Sequence, residues 1–347
     1  MKYIIKNIAY SMTCLAMILL MGSCNTDIEP VDINEPGIDK QNPELYAKYL
    51  TSLKAYKNSK HKVVLGWFDN SAKMPASQGQ NIHSVPDSLD YIVLKYPADL
   101  NEREYKEITN LRQQKGTKVM YDISFETIKS TYDEALKAFN ENPANQGKAF
   151  TAFNSWLIDS VQVKLALCDR YNYDGVVMSF EGKVTIYMTE AEKTKMLEQE
   201  NVFIGIAKDW KERHTNKTLV LAGKPQNITH QEVFTMASYI IIPCQSATTE
   251  GKLAYNMGKA AVEGVPTDKF IPMVSTTSLD ATDLKTGYWV NNVVAVLGAA
   301  KWVASDHTGY QIAGLAIDNV NTDYYHANFT YPTVRKAISI INPTVKK

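Results

Sequence analysis

The stretch Tyr173-Asp174-Gly175-Val176-Val177-Met178-Ser179-Phe180-Glu181 decides the fold. Asp-Gly is a turn signal, the apolar run behind it has the length of one strand buried on both faces, and an acid ends it. Immediately upstream, Phe153, Leu157, Val161, Leu165 and Cys168 recur at helical spacing within a pattern that opens at Phe150. A helix followed by a doubly buried strand is half of a strand-helix-strand unit with parallel strands. The same alternation extends both ways. Further strands are read as KVVLGWF near Val64, YIVLK near Ile92, KVMYDI near Met120, TLVLA near Leu219, YIIIP near Ile241, FIPMVS near Met273 and IAGLAI near Leu315. Between the second and third, Asn101 and Glu104 form a capping-box pattern, Tyr105, Ile108 and Leu111 form a stripe, and Gly116 supplies a stop. Trp289 to Trp302 reads as another helix. Eight strands in this order favour a (β/α)8 TIM barrel over an open doubly wound sheet. Its functional residues then lie where the strands end: Asp69, Tyr96, Asp122, Glu181, Lys224, Gln245, Thr276 and Asp318.

Composition narrows the function. The chain has 347 residues, 45% of them hydrophobic, and its 37 basic and 37 acidic residues cancel. That is a globular protein without the basic footprint of a nucleic-acid binder. Six scattered histidines make no HExxH and no zinc spacing, so no metal is indicated and no cofactor is implied. Cys168 and Cys244 read as core packing rather than as a disulfide or a nucleophile pair.

The first residues read as a processing segment. Lys2 and Lys6 precede an apolar stretch from Met12 to Met21, then Gly22, Ser23 and Cys24, which resembles a bacterial lipoprotein signal. The resemblance implies removal of residues 1–23, lipidation of Cys24, and a lipid-anchored protein of the outer membrane or cell surface. Residues 24–43, with Pro30, Pro36, Pro43 and repeated acids, read as a flexible tether, and 44–347 as the barrel. Asp27 and Glu29 suit an export signal or an ordinary solvated tether equally.

The strand quoted first also resembles the fourth barrel strand of glycoside hydrolase family 18, whose motif is DGxDxDxE. Asp174, Gly175 and Glu181 match; Val177 and Ser179 stand at the two middle acid positions. The segments His61–Phe68, Val85–Asp90 and Lys115–Val119 resemble the first three strand regions of lipoprotein members from glycan-foraging bacteria. This resemblance decides for the barrel over the open sheet. The family mechanism is substrate assisted. The terminal Glu protonates the leaving oxygen while the sugar's 2-acetamido carbonyl attacks its own anomeric carbon. On that resemblance Glu181 is the proton donor, the acid missing at 179 would have oriented the acetamide and steadied the oxazolinium, and the acid missing at 177 would have coupled to it electrostatically and helped to set the protonation states. A serine supplies no negative charge, and losing a charge partner in such a site costs on the order of 10²-fold or more in rate. After the sixth strand Gln245 matches a family Gln, while Ala247 stands in the place of the family's Tyr.

A retained scaffold with a depleted motif implies a catalytically inactive receptor for N-acetylglucosamine-containing glycans, N-glycans above all, serving a glycan uptake complex. The alternative is an active endo-β-N-acetylglucosaminidase cleaving the chitobiose core through Glu181. Sugar recognition needs flat aromatic faces and planar polar groups. The candidate contacts are Asp174, Ser179, Glu181, Trp67, Tyr187, Gln245, Asp318, Asn319 and Tyr324.

Overall fold

The computed structural model describes residues 38–343. The residues read as a signal segment, Cys24 and most of those read as a tether lie outside the described residues. The chain divides after Lys48. Before that point the described residues are helical, comprising α1 (Ile38–Gln41) and the start of α2 (Pro43–Asn58).

From Tyr49 onward the chain builds a closed parallel barrel. Its strands are β1 (Val63–Phe68), β2 (Tyr91–Leu94), β3 (Lys118–Ser124), β4 (Gly175–Phe180), β5 (Thr218–Gly223), β6 (Tyr239–Pro243), β7 (Phe270–Ser275) and β8 (Gly314–Asp318). Each pairs with its sequence neighbours, and β1 closes on β8 with Val63 opposite Gly314. This is the (β/α)8 barrel that the alternation favours and the family resemblance implies. The flanking helices are α3 (Glu102–Asn110), α4 (Phe125–Glu141), α5 (Phe153–Arg170), α6 (Glu190–Arg213), α7 (Val233–Met236), α8 (Glu250–Ala260), α9 (Ala295–Ala304) and α10 (Pro332–Ile341).

Strand alternation sorts the apolar residues into two separate cores. Leu65, Trp67, Val93, Met120, Val177, Val220, Ile241 and Ala316 are among those filling the lumen. Val64, Phe68, Tyr121, Val176, Met178 and Leu219 pack outward against the helices. Burial on both faces is why every strand reads as a continuous apolar run.

Two helices depart from the sequence reading. The capping box of α3 forms as expected, with Asn101 Oδ1 accepting from Glu104 N and Glu104 Oε2 accepting from Asn101 N, both at 2.9 Å. Its buried face, however, is Glu104, Glu107, Ile108 and Leu111, leaving Tyr105 half exposed. Two glutamates are tolerated inside because they are bonded: Asn70 and Lys73 donate to Glu104, and Ile82 N and Arg103 to Glu107. Gly116, at φ +71°, then terminates the segment in the left-handed conformation that favours glycine. The second departure is Trp289. It belongs to a small hairpin, Tyr288–Trp289 against Val293–Val294, turned by Asn291 and Asn292 at positive φ, and α9 starts only at Ala295. Trp289 joins the apolar stripe from outside, by packing on Gly298, where a Cβ would come within 2.4 Å of the indole.

Candidate functional site

The C-terminal ends of β3, β4 and β5 converge on one polar cluster. Val177, Ser179 and Glu181 continue a single inward parity along β4, but only the last two are polar. Val177 is fully buried in the lumen core. Beside it on β3, in register with Val177, stands Asp122, in phase with the lumen residue Met120. The Ser179 hydroxyl donates to Asp122 Oδ1 at 2.6 Å. Burial pushes the Asp122 carboxyl up to about 6, opposed by the Ser179 bond and reinforced by the charge of Glu126.

The start of α4 sits on this cluster because Ser124, the last residue of β3, caps the helix by accepting from Thr127 N at 3.1 Å. That places Glu126 Oε1 2.7 Å from the Glu181 backbone N–H, which donates to it. Burial raises the Glu126 carboxyl as well. The Glu181 side chain is paired with Lys224, whose ammonium donates to Oε2, and Asn227 Nδ2 donates to the Glu181 carbonyl at 3.0 Å. Gly223 permits this approach: at φ +143°, any Cβ there would lie 1.9 Å from the Phe180 carbonyl oxygen. Glu181 is half exposed and lines two clefts. One, of about 740 Å³, runs between α4 and α6 past Phe125, Phe180, Lys183 and Met188; the other, of about 480 Å³, holds Lys224, Asn227, Pro243 and Ser246.

The carboxyl shift of Asp122 has a measurable consequence. An acid that holds its proton to about pH 6 in the folded chain, but only to about pH 4 unfolded, stabilises the fold least above pH 6. Asp122→Asn keeps an acceptor for Ser179 and removes the buried charge. We expect it to raise Tm at pH 7.5 and to raise it less at pH 5; an equal shift at both pH values would contradict the assignment.

Across the mouth, Asp318 and Asn319 meet Lys95 from the end of β2. Lys95 Nζ lies 2.8 Å from Asp318 Oδ1 and donates to Asn319 Oδ1 at 2.6 Å. The Thr276 hydroxyl donates to the Asn319 carbonyl at 2.7 Å, holding this corner of the rim. Gln245 is exposed just beyond β6, and Tyr187 stands 93% exposed on the loop between β4 and α6. The structure thus collects Ser179, Glu181, Tyr187, Gln245, Asp318 and Asn319 at one end of the barrel.

Three candidates are held in packing or strand contacts instead. Asp174 precedes β4 at the opposite end of the barrel, where Oδ1 accepts from Arg112 Nε at 3.0 Å and Oδ2 from Val119 N at 2.8 Å. It is a clasp between strands, and no glycan entering the mouth reaches it. Trp67 is a lumen residue, 5% exposed, because its strand position points it into the barrel. Tyr324 packs on Tyr331 and over Gly79, whose Cβ would meet its ring at 2.6 Å. Ala247 is buried in the outer core. Asp122 and Lys224 were readable only as strand ends. Glu126 carried no signal, since its role depends on a helix starting without a loop.

A sequence model described as glycoside hydrolase family 18, BT1044-like, matches residues 26–340. The chain belongs to that family. No curated protein matches it. Among solved structures, a BT1044 glutamate-to-glutamine variant superposes with a TM-score of 0.60 at 16% identity, covering 88% of this chain and 95% of that one. An endo-β-N-acetylglucosaminidase from Cordyceps militaris gives 0.60 at 13% identity, covering 85% and 96%. At these identities the likeness is one of fold. On the fourth strand Glu181 follows Val177 and Ser179, and Asp122 on the neighbouring strand is the carboxylate that reaches Ser179.

Proposed function

We propose that the chain is a lipid-anchored surface protein that binds N-acetylglucosamine-containing glycans, N-glycans above all, without hydrolysing them, and that it serves a glycan uptake complex. One observation carries the reading: the β4 column beneath Glu181 contains no carboxylate, and the Glu181 side chain is engaged by the Lys224 ammonium. An oxazolinium needs an anion beside it. What remains at the mouth is recognition chemistry: an exposed tyrosine face, an Asn, a Gln, and carboxylates held by lysines.

Asp122 favours a second reading, endo-β-N-acetylglucosaminidase activity in which this carboxylate replaces the missing acid. Its distance from Ser179 supports that reading; its burial beside Val177, one strand away from Glu181, weighs against it. Calorimetric titration of the protein with a released N-glycan tests the binding claim. Saturable heat is expected, weakened by Tyr187→Ala. A flat titration at millimolar glycan would refute it.

A further inference from the structure

Among the described residues, the exposed large apolar side chains are distributed unevenly. Leu45, Tyr49, Tyr105, Val163 and Tyr255 are scattered over helices. All the others lie in loops that follow barrel strands, at the end that carries Glu181. The most open are Met74 after β1, Ile186 and Tyr187 after β4, Leu279 and Leu284 after β7, and Phe329 after β8; Met74 is 91%, Ile186 75% and Leu284 71% exposed. Single exposed apolar residues need no explanation, but a set gathered around one mouth does.

Most of these side chains are unsuited to sugar. Pyranose rings stack on flat aromatic faces, which Met74, Ile186, Leu279 and Leu284 lack. Aliphatic and methionine side chains around a polar centre are what a polypeptide surface meets at an interface. The position argues against a membrane. Lys57, at the end of α2, donates to the Leu89 carbonyl and to Thr117, just ahead of β2 and β3, and Asn342, just past α10, bonds both backbone groups of Lys62 just ahead of β1. The chain therefore enters and leaves at the N-terminal end of the barrel, and the apolar rim faces the other way. A glycan that fills the mouth brings whatever bears it over that rim.

We infer that the rim is a docking surface for the polypeptide that carries the glycan, so that the protein recognises a glycoprotein more tightly than the free glycan. The inference rests on the glycan-binding reading. The test compares three titrants by calorimetry: an N-glycoprotein, the N-glycan released from it, and the same protein after deglycosylation. Wild-type protein is expected to bind the glycoprotein about tenfold or more tighter than the released glycan, the effect of a few apolar anchors. The triple variant Ile186→Ser, Leu284→Ser, Phe329→Ser should bring the two affinities together while leaving that for released glycan unchanged. Equal affinities in the wild type would overturn the inference and leave glycan binding standing. So would a dimer in sedimentation that the triple variant dissociates, since the rim would then be covered by a second copy. Absence of binding to the released glycan would defeat the underlying reading, and the inference with it.

Discussion

Val177→Asp should destabilise the fold by about 3–5 kcal/mol at pH 7, although it restores an acid to the family 18 motif. The valine is fully buried among lumen residues, and its register partner is Asp122, itself a carboxyl that burial pushes up to about 6. A second carboxyl in the same layer is desolvated and has a like charge beside it. Urea melts would show the loss. Adding Asp122→Asn to the variant should recover 1 kcal/mol or more, because the two sites touch and their effects couple. A loss below about 1 kcal/mol for the single variant would mean that the lumen accommodates two acids. A single acid placed at 177 meets Asp122 in register across the strand pair.

Asp174→Ala should cost about 2–4 kcal/mol and leave the glycan affinity of the folded protein unchanged. The carboxylate accepts from two guanidinium nitrogens of Arg112 and from Val119 N, so its removal leaves a partly buried cation with only its bond to the Asn172 carbonyl, and an unpaired backbone donor at once. Asp174→Asn should be milder, since an amide oxygen can still serve Val119. Stability from melts and affinity from calorimetry separate the two roles. A large affinity loss in a variant with little loss of stability would return Asp174 to the binding site.

The barrel was legible because both faces of each strand are buried, which writes apolar runs that turn signals and helical stripes then separate. All eight strands are where those runs lie. Helix boundaries were harder wherever a side chain joins a stripe from another element, as Trp289 does on Gly298, or wherever a polar residue is buried because a distant loop bonds it, as Glu104 is by Asn70 and Lys73. The site divides along the same line. Glu181, Gln245, Asp318 and Asn319 follow strands and fall at the mouth. Asp174 shares a motif with Glu181 but stands at the other end of the strand, and a motif read as a string does not show that its first and last members are separated by the length of the barrel. The Asp122–Ser179 pair joins residues 57 apart in the chain, and only the β3–β4 register brings them together.

The central claim is binding without cleavage, and mass spectrometry of an N-glycoprotein after prolonged incubation with equimolar protein tests it most directly. The account predicts that the glycoprotein keeps its full glycan mass. Release of glycan in amounts exceeding the protein added, abolished by Glu181→Gln, would contradict it.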